Sequence, residues 1–182
     1  PCEVIGEPVS LPDAVTLAQS NPYQFQWWAL GLLEARPTEQ RHGADKGIDG
    51  RLYFHDELSG ETEQIVFSVK AGHLLPTHLR DLRGVIERER ASQGILLCLD
   101  EPSKPMRGEA ASAGFIRTAW GEYPRLQIVT VAELLAGKRP KMPPMRQIGV
   151  TYKRAPKALP KVAEQRTLYD LEPTMAQAKL AQ

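Results

Sequence analysis

The chain has 182 residues, 42% of them hydrophobic and 25% charged, with a formal net charge of +1. That is enough for one domain with a sizeable core plus a tail, and too apolar for a wholly disordered chain. No apolar run approaches a membrane span and no secretory leader is visible. Two cysteines far apart, without zinc-ligand spacing, argue against a disulfide framework or zinc module and favour a reducing cytoplasm.

The chain opens on Pro rather than Met, as an excised or processed piece would, and residues 1–9 read as extended. Ser10-Leu11-Pro12-Asp13 is a helix start, with Ser10 as cap and Pro12 in the first turn, for a short helix to about Gln19. Asn21-Pro22 opens a second helix. Its Phe25, Trp28, Ala29, Leu32 and Leu33 fall on one face at core spacing. Arg36 to Asp45 is a polar loop. It runs into a glycine-rich stretch, then Arg51 to Phe54 with strand-forming bulk, a Ser59-Gly60 turn signal, and an alternating run from Gln64 to Lys70. Ile65, Phe67 and Val69 point one way, and Gln64, Val66, Ser68 and Lys70 the other. Folding this hairpin back brings Asp49 beside Ser68 and Lys70.

Thr77 is expected to cap a helix to about Ala91, apolar at Leu79, Leu82, Val85 and Ile86 and charged on its other side. Gly94 to Asp100 is an almost unbroken apolar run, which reads as a buried, parallel strand with Cys98 as a small core residue. Ser103-Lys104-Pro105 starts a helix to about Ala113. Trp120 and Tyr123 are expected in a surface loop. Leu126 to Val131 is a strand and Ala132 to Ala136 a short helix. From Gly137 prolines interrupt a basic, core-poor stretch. Lys138 to Arg166 holds nine Lys/Arg against Glu164, a run that attracts phosphates and equally suits a solvated tail. The element order gives an α/β sandwich with a mixed sheet.

The loop Gly43-Ala44-Asp45-Lys46-Gly47-Ile48-Asp49-Gly50, followed by a hairpin ending Ser68-Val69-Lys70, resembles the PD-(D/E)xK nuclease superfamily. Within it the nearest pattern is that of the Mrr-like restriction endonucleases, whose loop reads G-x-D-x-G-x-D and whose second strand ends (E/Q)-x-K. The runs RDLRGVIERERA and QGILLCLDEPSKPMRGEAASAG resemble modules attached to amino-group DNA methyltransferases. The resemblance implies a three-layer α/β sandwich with a central mixed sheet. A nuclease-like domain over 21–144 would follow an N-terminal extension and short helix (1–20) and precede a basic, Pro-rich tail (145–182).

It further implies an endonuclease that hydrolyses DNA phosphodiesters with weakly bound Mg²⁺ or Mn²⁺, beside a methyltransferase domain of the same or a partner chain. Asp49 would be the charged metal ligand and the Val69 carbonyl a second. Gln26, Ser68 or Gln64 would supply neutral oxygens, and Lys70 would hold the nucleophile or stabilise negative charge. Gln26 enters because Phe25-Gln26 matches an aromatic–glutamate pair of the family's preceding helix. His42, Lys46, His78 and Arg80 would touch DNA. Gln165-Arg166-Thr167-Leu168-Tyr169 faintly resembles a sliding-clamp-binding peptide. The sequence departs from the family where it matters: the acid or amide two residues before the lysine is Ser68, a neutral and weaker ligand for a hard cation. The alternative is therefore a DNA-binding or docking module on the same fold that does not cut.

Overall fold

A computed structural model describes residues 7–38 and 47–145. Contacts divide the chain into Pro1–Ile148 and Gly149–Gln182, and every described residue belongs to the first unit. The basic tail beyond Met145, with its clamp-like peptide, lies outside the described residues, as do His42 and Lys46.

Two helices lead. α1 (Leu11–Ser20) starts at a capping box in which the Ser10 hydroxyl accepts from the Asp13 N–H while the Asp13 carboxylate accepts from Ser10. α2 (Pro22–Gly31) is capped by Asn21, whose side chain accepts from the Gln24 N–H at 3.1 Å. A two-residue β1 (Arg36–Pro37) follows, where the sequence reads as loop. Then come β2 (Gly50–Asp56) and β3 (Glu61–Lys70), the expected hairpin. α3 (Pro76–Glu89) leads to β4 (Gln93–Cys98), and α4 (Lys104–Ser112) to a small hairpin of β5 (Phe115–Thr118) and β6 (Gly121–Pro124). β7 (Leu126–Thr130) and α5 (Val131–Leu135) complete the domain.

The five-stranded sheet has the order β1-β2-β3-β4-β7. β1–β2 and β2–β3 are antiparallel, while β3–β4 and β4–β7 are parallel, so the sheet is mixed as expected. Alternation sorts the core into two layers. Ile65, Phe67, Ile95 and Leu97 face α1, α2 and α5, with Phe25 and Leu30 fully buried. Val66, Leu96 and Cys98 face α3 and α4, with Leu79, Leu82, Ile86 and Met106. All six residues of β4 are buried, the signature of a central parallel strand covered on both faces. α1 belongs to this core: Ala14 and Ala18 pack with Phe25. No helix among the described residues is long and apolar enough to cross a membrane.

Two expectations are corrected. Trp120 and Tyr123 belong to the β5–β6 hairpin rather than to a loop, and Trp120 and Ile116 pack against the first core layer. α3 begins earlier than a Thr77 cap implies. Leu75 is the cap residue because Pro76 stands at the first helical position and holds its predecessor extended (φ −114°, ψ 149°).

Gly94 sits where α3 crosses β4. A Cβ there would lie 2.5 Å from Ile86 Cδ1 and 2.9 Å from Ile86 Cγ1. Gly94→Ala is expected to destabilise the domain by about 1–3 kcal/mol through overpacking. Gly108→Ala, on α4 with nothing near its Cβ position, is expected to stabilise it by roughly 0.5–1 kcal/mol. Urea unfolding of the two variants checks the opposite signs.

Candidate functional site

The expected meeting point forms where β2 begins and β3 ends. Gly50 pairs with Phe67, and the Asp49 N–H donates to the Phe67 carbonyl at 2.8 Å. Glycine at 50 lets Leu30 pack against the strand, since a Cβ there would lie 2.6 Å from Leu30 Cδ2 and force it to move. Backbone groups alternate in direction along a strand, so the Val69 N–H points to the same side as the Phe67 carbonyl. The Asp49 carboxylate meets it there, with Oδ2 accepting from the Val69 N–H at 2.6 Å. The Val69 carbonyl faces that same edge.

Ser68 is buried, at 4% exposure, on the sheet face that carries Val66 and looks toward α3 and α4. Its hydroxyl is not one of the buried side-chain atoms without a partner among the described residues, which are Trp28 Nε1, Thr38 Oγ1 and Gln93 Oε1. Lys70, two residues on, shares that face, is half-buried, and pairs in register with Cys98. Gln26 is half-buried on α2, in the helical layer across the sheet from Ser68 and Lys70. Gln64 is not available as a ligand. Its Nε2 donates to the Glu89 carbonyl at 2.6 Å and its Oε1 accepts from Arg51, which ties β2 and β3 to the end of α3.

His78 and Arg80 stand on the first turns of α3. His78 does the work expected of Thr77: its Nδ1 accepts from the Leu75 N–H at 3.2 Å. The neutral ring then carries its proton on Nε2. Burial first, and then the positive charge of Lys70, hold the imidazole below its ordinary value of 6.5; His73 adds to this and Asp81 opposes it. Arg80 donates Nε–H to Glu109 at 2.9 Å with 64% of its side chain exposed, an α3–α4 link worth under about 1 kcal/mol. At the rim, His73 Nδ1 and Asp100 Oδ2 lie 3.5 Å apart, and Asp100 also accepts from the Leu74 N–H.

One structural carboxylate escaped the sequence reading. Asp56 is buried at the far end of the hairpin and accepts from the N–H groups of Leu58, Ser59 and Ala119. The Ala119 bond is the main cause that holds it below its usual range. The turn near Ser59-Gly60 signals the local bonds; nothing in the sequence signals Ala119.

The model of the family "NACHT-associated inactive Restriction Endonuclease 1" matches residues 22–136. The chain belongs to that family. Among solved structures it is similar to the DNA modification-dependent restriction endonuclease AspBHI, with 16% identity and a TM-score of 0.52, over 76% of this chain and 38% of that one. It is also similar to the MspJI restriction endonuclease in complex with a 27-mer oligonucleotide, with 16% identity and a TM-score of 0.47, over 75% of this chain and 31% of that one. The chain thus spans well under half the length of either. No curated protein matches it. The restriction-endonuclease-like α/β fold expected from the Asp49–Lys70 stretch is the fold observed.

In this family member the residues present do not fit a firmly held Mg²⁺ or Mn²⁺. A hard divalent ion takes about six oxygen ligands and draws its affinity from charged ones. Asp49 is the one acid in the expected set, and Oδ2 already accepts a main-chain hydrogen bond. Ser68 adds a neutral oxygen. Among the described residues no group of three or more His, Cys, Asp or Glu is placed to hold a metal ion.

Two outcomes follow from this geometry. Asp49→Ala strands the Val69 N–H and is expected to destabilise the domain by about 1–2 kcal/mol, with Asp49→Asn milder because the amide oxygen still accepts. Chemical denaturation at pH 7 distinguishes them. His78, held below 6.5 in the folded state, binds its proton more readily in the unfolded chain. Its contribution is therefore complete above about pH 6.5 and is lost as pH falls below that value. His78→Gln keeps an acceptor for the Leu75 N–H and is expected to flatten the drop in Tm between pH 7.5 and 5.5.

Proposed function

We propose that the domain is a DNA-binding or docking module on the restriction-endonuclease fold that does not cleave its ligand. The observation that carries this is Ser68. The position two residues before Lys70, an acid or amide in the cleaving pattern, holds a buried serine, which brings no second carboxylate to Asp49 from that position. Hydrolysis of a phosphodiester by this fold relies on a metal to generate hydroxide and neutralise the transition state, and one tethered carboxylate is a poor anchor for it. The family's name, with "inactive" and "NACHT-associated" in it, supports the non-cleaving reading and use of the module beside a NACHT domain. AspBHI, named as a DNA modification-dependent enzyme, supports DNA as the ligand class.

A second reading rests on the approach of Asp49 to the strand that carries Lys70. It is a weak Mg²⁺- or Mn²⁺-dependent endonuclease of the Mrr-like, methyltransferase-associated kind, with Asp49 and the Val69 carbonyl on the metal, Lys70 beside the nucleophile, and Gln26 and Ser68 as neutral ligands. Supercoiled plasmid separates the two. With Mg²⁺ or Mn²⁺ in large excess the wild-type chain is expected to leave plasmid intact. In a mobility-shift assay it is expected to bind duplex with an affinity that falls as salt rises. Cutting that disappears in both Asp49→Ala and Lys70→Ala would establish the second reading instead. Absence of any salt-dependent binding would remove DNA from both.

A further inference from the structure

The geometry points to the free edge of β5 as a docking site for an extended segment of a partner polypeptide, which adds a third strand to the β5–β6 hairpin and sets an acidic side chain against Arg117. The site lies at the opposite end of β3 from Asp49. Glu63, at its wall, and Val69, which Asp49 bonds, stand roughly 20 Å apart along that strand. It does not rest on the non-cleaving DNA-binding reading.

The register fixes which main-chain groups of β5 are taken. The Arg125 N–H donates to the Gly114 carbonyl at 2.9 Å, and Phe115, Ile116, Arg117 and Thr118 then pair with Pro124, Tyr123, Glu122 and Gly121. Hydrogen-bonded and non-bonded pairs alternate in an antiparallel ladder. Ile116 and Thr118 therefore exchange bonds with β6, while Phe115 and Arg117 turn their N–H and C=O groups outward. Pro124, which has no N–H, stands opposite Phe115, where none is needed. Among the described residues β5 has no second strand neighbour, and no main-chain hydrogen bond reaches the outward groups of Phe115 or Arg117. The next outward donor, the Ala119 N–H, does have a partner: Asp56 accepts from it at 3.0 Å. That bond shows which way the row faces.

It faces a cleft of about 350 Å³, large enough for side chains as well as water. All four residues of β5 line this cleft although their side chains alternate between two faces, so it runs along the edge of the strand. Asp56, Glu63 and Ser92 line it too. The two acids are already engaged: Asp56 accepts from three main-chain N–H groups, and Glu63 from the Ser92 hydroxyl. The cations are held less firmly. Arg117 pairs with Glu122 and Arg125 with Glu87, both at the surface, where such pairs are weak and exchange readily. Phe115 shares a face with Arg117 and is 66% exposed. Side chains directly opposite on paired strands touch. A segment with an apolar residue and an acid two positions apart thus covers Phe115 and pairs with Arg117 while its main chain takes the outward groups.

Amide hydrogen exchange, read by NMR on the full chain, is the test. Without a partner the Phe115 and Arg117 N–H groups are expected to exchange about tenfold or more faster than those of Ile116 and Thr118. The probe is a pool of short capped peptides that carry an apolar residue and a glutamate two positions apart, set against the same pool with lysine for glutamate. The glutamate pool is expected to slow exchange at Phe115 and Arg117, and the lysine pool to leave it unchanged. Arg117→Pro removes one outward N–H and no bond to β6, and is expected to abolish the effect. Arg117→Glu, which keeps the main chain, is expected to reverse the preference between the pools. Slow exchange at Phe115 and Arg117 in the free chain overturns the proposal, as does a glutamate pool that leaves both unchanged or an equal response to the two pools. Protection that grows with protein concentration and needs no peptide assigns the edge to a second copy of this chain and overturns the proposal as well.

Discussion

The Asp49 carboxylate stands in for a missing stretch of strand. β2 starts at Gly50, yet β3 runs on to Lys70 and its Val69 N–H still faces where a neighbour would be. A charge-assisted bond of 2.6 Å closes that gap. It holds the loop into β2 against β3, and the Asp49 carbonyl in turn accepts from the Thr38 N–H on the other side at 3.0 Å. The aspartate therefore sits across three strands at once. Its place at the sheet margin is fixed by backbone satisfaction, whether or not chemistry occurs there.

That dual use explains how such a domain can keep its aspartate and its shape without its acid at 68. Val66 and Ser68 lie on one face against α3 and α4, where Leu96 and Cys98 make an apolar floor. A carboxylate at 68 would be buried beside that floor and would need a cation or several donors to be tolerated there. A serine needs far less. Cys98, in the same layer, shows how little charge the floor supports: burial pushes its thiol up to about 12.

Much of this was legible in the chain. Alternation from Gln64 to Lys70 sets which side chains share a face, and the two-core sandwich bears it out. The apolar run ending at Cys98 reads as a doubly covered parallel strand because nothing polar interrupts it. What escaped depends on long-range bonds or unusual caps. The β5–β6 hairpin lacks a glycine–asparagine turn and is tied down by Asp56 accepting from Ala119, 63 residues away. Gln64 reads as a spare oxygen near Ser68, but four residues of strand carry it roughly 13 Å away, where Arg51 and Glu89 consume it. The start of α3 was misplaced because histidine, not threonine or serine, supplies the capping acceptor.

His78 ties the start of α3 to the charge on the neighbouring strand. As the cap of α3 it must stay neutral, since protonation at Nδ1 would remove the acceptor for the Leu75 N–H. Burial favours that neutrality first, and the positive charge of Lys70 on the sheet adds to it.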